Sequence, residues 1–428
     1  KHLITPQFLL HVGLYGLIPS ALVLWVRVRR APLARAAVGA GVMVALSLAL
    51  VVGLLFTNLK AYSTVLRADK ELMGAVQPLA PMGGALRYAK MMLKSTQIVL
   101  ETTGEDAAPG TFLTSADKPV LMVIVAGETG RAQNWSLGGY ARETNAELKT
   151  RDIVYFSDAT SCGTATATSL PCMFSPLTRD AYSYEGGLSH ENLLDVLAHA
   201  GFKVEWWDNN TGDKDIADRI EKRMMTAADG AEFCQPECID GVFLKALQEK
   251  AETITGNTVI VLHQIGSHGP SYWLRYPPER EIFQPACQTP ELTDCTTGEI
   301  VNAYDNTIAY TDHFLAQVID ILDSTDRVTP AMFYASDHGE SLGEGGLYLH
   351  GTPYFMAPDY QTRAPMLIWM SGRFRASLAL DQDCLKASAT APVSHDNMFS
   401  TVLGMLDVTT SARDAALDIA GACRQGTG

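Results

Sequence analysis

Two long apolar stretches near the start of the chain limit what it can fold into more than any other feature. Phe8 to Val26 runs 19 residues without a charge and Ala36 to Phe56 runs 21 more. Each is long enough to cross a hydrocarbon core of about 30 Å as a helix, so two membrane spans are the simplest reading. The first carries His11 and Pro19; a membrane helix tolerates proline where neighbours satisfy the freed carbonyl. A signal peptide is the competing reading, but its basic cluster would precede the apolar run, and here the cluster follows. Arg27, Arg29, Arg30 and Arg35 lie between the two stretches, and short arginine-rich loops stay on the cytoplasmic side. Everything beyond Phe56 is therefore expected outside the cytoplasm. Residues 1–56, opening on Lys1 with no initiator methionine, are read as part of a larger membrane domain.

Charge and cysteines agree with that placement. Residues 1–56 hold five basic and no acidic residues, which leaves the rest with 28 basic against 47 acidic side chains, a formal charge of −19. Nucleic acid, which needs a basic face, is excluded as a partner. All eight cysteines follow the second stretch: Cys162 and Cys172, Cys234 and Cys238, and Cys287 and Cys295 are close in sequence, with Cys384 and Cys423 left over. Disulfides persist in oxidising compartments. Zinc binding is the rival reading, although no pair joins a second thiol pair at zinc-ribbon spacing.

Residues 57–100 mix apolar and charged residues at helical spacing. They read either as an amphipathic connector at the bilayer surface or as a helix packed on the soluble domain. Polar residues 101–118 read as a linker. From residue 119 short apolar runs recur: PVLMVIVAG (119–127), DIVYFSD (152–158), KVEWWD (203–208), NTVIVLHQ (257–264), AMFYASD (331–337) and PMLIWM (365–370). Helical patterns at 192–200 and 301–322 separate them, which predicts an α/β sandwich around a mostly parallel sheet over 119–428.

In such sheets the working residues gather beyond the carboxyl ends of strands. Glu128, Asp208-Asn209-Asn210, His263 and Asp337-His338 occupy those positions. A carboxylate leaving an apolar strand needs a neutralising partner. Glu128, Asp337 and His338 together offer three ligands to a metal such as zinc; singly, each reads as a salt bridge or a cap. The segment 161–175 reads as a loop entering a helix, with Thr164, Thr166, Thr168 and Ser169 as candidate nucleophiles that a metal could activate. The alternative is a threonine-rich helix start, and spacing does not select among the hydroxyls. His263, His268 and His350 lie beside the same strand ends, where imidazoles could ligate, donate a proton or grip phosphate.

Six blocks now carry a resemblance: VAGETGRAQNWSLGGYARETN (125–145), TSCGTATATSLPCMFS (160–175), WWDNNTGDK (206–214), HQIGSHGPSYWLRYP (263–277), YDNTIAYTDHFL (304–315) and SDHGESLGEGGLYLHG (336–351). In this order they resemble the phosphoethanolamine transferases that modify lipid A. That family includes the mobile colistin-resistance enzymes and belongs to the alkaline phosphatase and sulfatase superfamily. The resemblance implies five membrane helices in the whole family member and a catalytic domain in the periplasm, anchored in the bacterial inner membrane. It implies that Thr166 is the nucleophile, and that Glu128, Thr166, Asp337 and His338 hold one catalytic zinc. His268 and His350 match residues that bind phosphate or a second zinc, with His263 nearby. Asn210, Lys214, Thr164 and Glu340 match the head-group pocket, and Cys162–Cys172, Cys234–Cys238 and Cys287–Cys295 are the implied disulfides.

The expected reaction is a double displacement, because one nucleophile serving two lipids in turn never has to hold both. Phosphatidylethanolamine is the donor, lipid A or lipopolysaccharide the acceptor, and polymyxin resistance the expected outcome, with the protein acting as a monomer. The competing readings are transfer of phosphoethanolamine or phosphoglycerol to another envelope glycan, a membrane-bound sulfatase or phosphodiesterase, and a binding module with a structural metal. Threonine in place of cysteine or serine argues against a formylglycine sulfatase.

Overall fold

The computed structural model describes residues 12–25, 32–57 and 99–425. The chain divides into two compact units, Lys1–Tyr62 and Ser63–Gly428. In the first, a π-helical segment, Val12–Leu17, runs into helix α1, Ile18–Trp25, and helix α2 spans Leu33–Thr57. Within α2, the 21 residues Ala34–Leu54 are long and apolar enough to cross a membrane, and among the described residues no other helix is. Of the first expected span, Val12–Trp25 is helical. Its remaining residues, including His11, lie outside the described residues, as do Lys1, Arg27, Arg29, Arg30 and the connector over 58–98.

The second unit is built on seven strands: β1 (Val120–Gly127), β2 (Ile153–Phe156), β3 (Lys203–Asp208), β4 (Glu221–Met224), β5 (Thr258–His263), β6 (Thr329–Ser336) and β7 (Met366–Met370). They form one sheet in the order β2-β7-β6-β1-β5-β3-β4. Strand β7 is antiparallel to both neighbours, and the other adjacent pairs are parallel. Six strands coincide with the expected apolar runs. Strand β4, Glu-Lys-Arg-Met, was not anticipated: it is an edge strand exposed at every position, where charged side chains discourage further pairing.

The apolar runs are continuous because both faces of the sheet are covered. Val120, Met122, Ile124 and Ala126 of β1 pack into one core with helices α3 (Thr166–Phe174), α4 (Leu193–His199) and α7 (Asp396–Met405). Leu121, Val123 and Val125 pack into the other with α5 (Val242–Ala251) and α6 (Thr297–Ser324). Capping boxes, Asn192 with Asp195 and Thr296 with Glu299, start α4 and α6 by satisfying backbone N–H groups that the helix leaves open.

The segment 101–118, read as a linker, is folded onto the domain. Ala108–Pro109 pairs with Val408–Thr409, and the Asp407 carboxylate accepts from the N–H groups of Phe112 and Leu113 at 2.9 and 3.2 Å. Disulfides join Cys162–Cys172, Cys234–Cys238 and Cys287–Cys295, and a fourth joins the two cysteines left unassigned, Cys384–Cys423.

The Cys384–Cys423 bridge closes the longest loop of the four, 39 residues, so it restricts the unfolded chain most. Replacing both cysteines with serine is expected to lower stability by about 2–4 kcal/mol in denaturant unfolding, more than the same change at Cys287 and Cys295.

Candidate metal centre and nucleophile

Strands β1 and β6 pair in parallel register up to Gly127 opposite Ser336, so the residues that follow emerge side by side. These are Glu128 from β1 and Asp337-His338 from β6. All three are buried, and one ligand atom from each lies within 4.8 Å of the others. His338 Nε2 is 3.4 Å from Asp337 Oδ2 and 3.8 Å from Glu128 Oε1. The His338 ring is oriented by its Nδ1, 2.8 Å from the Gly339 carbonyl, an arrangement that turns Nε2 to the carboxylates.

The hydrogen bonds around the acids are incomplete. Asp337 Oδ1 accepts from the Thr129 and His338 N–H groups at 2.9 and 2.8 Å, but its buried Oδ2 has no donor among the described residues. Glu128 accepts from the Thr129 hydroxyl and from Asn210 Nδ2, the latter at 2.9 Å. Burial, then the neighbouring Glu128 charge, push the Asp337 carboxyl well above its usual range. Burial also opposes ionisation of Glu128, but His338, His268, the hydrogen bond from the Thr129 hydroxyl and His350 together outweigh it and hold its pKa to about 2. Burial lowers His338 to about 4. Two acids, a neutral imidazole and an orphaned carboxylate oxygen converging on one point fit a divalent cation.

Thr166 is the first residue of α3. Its Oγ1 lies 3.3 and 3.2 Å from the two Glu128 oxygens and 3.3 Å from His338 Nε2. Of the four candidate hydroxyls it is the one placed at the cluster. Ser169, one turn further along α3, donates to the Asp337 carbonyl and accepts from the Gly163 N–H, so it braces the loop. Thr164 Oγ1 donates to the Thr352 carbonyl at 2.5 Å, and its own carbonyl accepts from Gly351 N at 2.6 Å. Those bonds fasten the loop that leads into Thr166 to the loop that carries His350.

The His350 ring stands 4.3 Å from the His338 ring and 6.3 Å from His268, centroid to centroid. Burial works against a charge on His350, but Glu340, 3.4 Å from Nδ1, raises its pKa to about 9. Two expected residues make other contacts. His263 Nδ1 pairs with Asp208 Oδ2 at 2.9 Å and its ring packs on Trp206. Lys214 Nζ donates to the carbonyl and hydroxyl of Thr211, both at 2.7 Å.

Two supports escaped the sequence reading. His395 Nδ1 accepts from the Cys162 N–H at 3.1 Å and Nε2 lies 3.0 Å from the Ser336 carbonyl, which clamps the loop before Thr166 to the end of β6. Asp240 accepts from the N–H groups of Ile265 and Gly266 and the amides of Asn209 and Gln264, at 2.9 to 3.1 Å, and so ties the loops after β3 and β5 together. Neither belongs to a local motif. The fit is close at Gly266, whose φ is +48° and where a Cβ would lie 2.6 Å from the Glu128 carbonyl.

Comparison with known proteins adds to this geometry. The Sulfatase family model matches residues 121–408, and the model for phosphoethanolamine transferase EptA/EptB matches residues 1–93. The chain is 40% identical to phosphoethanolamine transferase EptA of Escherichia coli strain K12, over 99% of this chain and 78% of that protein. It is 34% identical to the phosphatidylethanolamine transferase Mcr-1 of Escherichia coli, over 96% of this chain and 76% of that one. The structure of the integral membrane lipooligosaccharide phosphoethanolamine transferase A (EptA) from Neisseria meningitidis superposes with a TM-score of 0.80 at 35% identity, covering 98% of this chain and 79% of that chain.

In metal-free protein His350 is expected to remain protonated through neutral pH and titrate near 9, while His338 stays neutral down to about 4. Because its folded pKa exceeds the ordinary 6.5, the His350–Glu340 pair adds stability that is complete below pH 6.5 and lost as the pH rises through about 9. Ring-proton NMR titration checks this, and Glu340→Gln should return His350 toward 6.5.

Proposed function

The chain belongs to the phosphoethanolamine transferase family, with an α/β domain of the sulfatase type, and from the geometry of its site we propose that it transfers phosphoethanolamine from phosphatidylethanolamine to a phosphate of lipid A through an intermediate on Thr166. One observation carries the reading: a single hydroxyl, at the first turn of α3, lies 3.2–3.3 Å from both a buried carboxylate and an imidazole of the metal-type cluster.

Glu128, Asp337 and His338, with the Thr166 oxygen, would hold one zinc ion, whose oxygen and nitrogen preferences this set meets. Bound there, the ion would supply Lewis acidity that makes an alcohol nucleophilic near neutral pH. The chain's own residues do the rest. Thr166 Oγ1, its hydrogen directed to Glu128, attacks the donor phosphorus, and Asn210 beside Glu128 helps orient the head group. Protonated His350 supplies a proton to the departing diacylglycerol oxygen as its bond to phosphorus breaks, and His268, whose pKa is lowered by burial, offers a neutral imidazole N–H to a non-bridging oxygen. An oxygen of the acceptor phosphate then attacks the same phosphorus, the bond to Thr166 breaks, Glu128 returns the proton to Thr166 Oγ1, and His350 regains its own from the attacking phosphate.

The added ethanolamine cation offsets phosphate charge on lipid A, and this weakens attraction for cationic polymyxins. We place the protein in the inner membrane, held by α2 and by the apolar stretch before it, with the disulfide-bearing domain in the periplasm; the apolar length of Ala34–Leu54 and the four disulfides support this reading.

Intact-mass measurement of the full chain given phosphatidylethanolamine is expected to show one added phosphoethanolamine group, absent in Thr166→Ala, whose turnover should fall about a thousandfold or more. Diacylglycerol release should rise when lipid A is supplied; release indifferent to acceptor would mean hydrolysis. Chelation is expected to abolish adduct formation, and added zinc to restore it.

A further inference from the structure

One turn of the domain presents apolar surface that the fold does not use. Tyr354–Met356 forms a 3₁₀ turn in the short segment from Pro353 to Pro358. It carries Phe355 at 89% exposure and Met356 at 49%, and among the described residues no large apolar side chain is more exposed than Phe355. Adjacent apolar side chains left in water on a soluble domain mark a contact surface more often than scattered single ones do.

The turn is firmly held. The Thr352 N–H donates to Gln361 Oε1 at 3.1 Å, its carbonyl accepts from Thr164 Oγ1 at 2.5 Å, and the Tyr354 hydroxyl donates to the Ser161 carbonyl at 2.9 Å. Thr164 and Ser161 lie on the loop that leads into Thr166, and His350 precedes Phe355 on the same strand of backbone. The apolar tip is thus fixed to both halves of the site. Its surroundings are balanced in charge: Arg179 lies over the Tyr354 ring at 4.4 Å and pairs with Asp180, and Arg363 pairs with Asp359 at 3.6 Å.

We propose that Phe355 and Met356 insert into the hydrocarbon edge of the phospholipid bilayer that contains the donor, and so hold the site at the height of the lipid phosphates. The inference rests on the reading of the donor as a membrane lipid. A protruding pair, unlike a groove, buries its surface only in a partner that yields around it, and a bilayer does. The donor's phosphate sits at the water boundary with acyl chains just beneath, and Phe355 follows His350 by five residues on the same loop. With acids and arginines paired beside the tip, the attraction is apolar and does not depend on anionic lipid.

The test uses the full chain in phosphatidylcholine nanodiscs, comparing wild type with the double variant Phe355→Ser, Met356→Ser. Diacylglycerol release from phosphatidylethanolamine in the disc should fall about tenfold or more, equally at low and high salt. Release from a short-chain phosphatidylethanolamine below its micelle concentration should be unchanged, as should the melting temperature. Equal losses on both donors, or none on either, overturn the proposal. So does a detergent-solubilised dimer that the double variant splits, which would make a second copy the occupant. A readout independent of turnover separates this from failure of the transferase reading: Phe355→Trp should add fluorescence quenched by brominated phosphatidylcholine in the disc, and an unquenched signal overturns the proposal even where wild type transfers phosphoethanolamine. Quenching without any transfer would retain the docking and refute the assigned reaction.

Discussion

Two carboxylates share one buried spot, and the site is arranged around that conflict. The parallel pairing of β1 with β6 delivers Glu128 and Asp337 together, where burial and mutual repulsion both oppose double ionisation. The backbone relieves part of the strain: the Thr129 and His338 N–H groups satisfy one Asp337 oxygen. Its other oxygen is left bare. A buried acid pair of this kind weakens a fold unless positive charge joins it, and His338, the imidazole between the two acids, is too poorly protonated to supply it. The arrangement has a physical rationale as a receptacle for a cation.

What makes the receptacle precise is support from both helical layers. From the α6 side, the Tyr304 hydroxyl donates to the Thr129 carbonyl at 2.7 Å and accepts from the Arg131 N–H at 2.8 Å, fixing the turn just after Glu128. From the opposite layer, His395 at the start of α7 and Ser169 in α3 grip the end of β6 and the nucleophile loop. The catalytic-type groups sit on short loops, but each loop is pinned to a rigid element by buried hydrogen bonds. Preorganisation of that kind lets a metal and a phosphate bind without reordering the protein.

Much of this was legible in the sequence, for identifiable reasons. Strands covered on both faces print as unbroken apolar runs, so β1, β5 and β6 could be read directly, and the acids at their ends stood out against them. Strand β4 could not be, because an edge strand may be polar throughout without loss. The 101–118 segment looked like a linker because the acid that caps it, Asp407, is about 295 residues away. Thr166 was distinguishable from Thr164, Thr168 and Ser169 only through the family resemblance, since helix spacing offers several hydroxyls and tertiary placement selects one. His395 and Asp240 had no signal at all; their partners are assembled by the fold and not by neighbours in sequence.

The separation of the central pair has a bearing on how the protein comes into being. Thr129 and Asp337, which bond across the site, are 208 residues apart along the chain. No early fragment can contain both halves of the receptacle, and the entropy of closing so long a loop must be met by the sheet itself. A site assembled from such distant segments differs from small metal-dependent modules, whose ligands lie close together in sequence. A cation would join a scaffold that the sheet has already closed, and its binding would add to the stability of the finished fold.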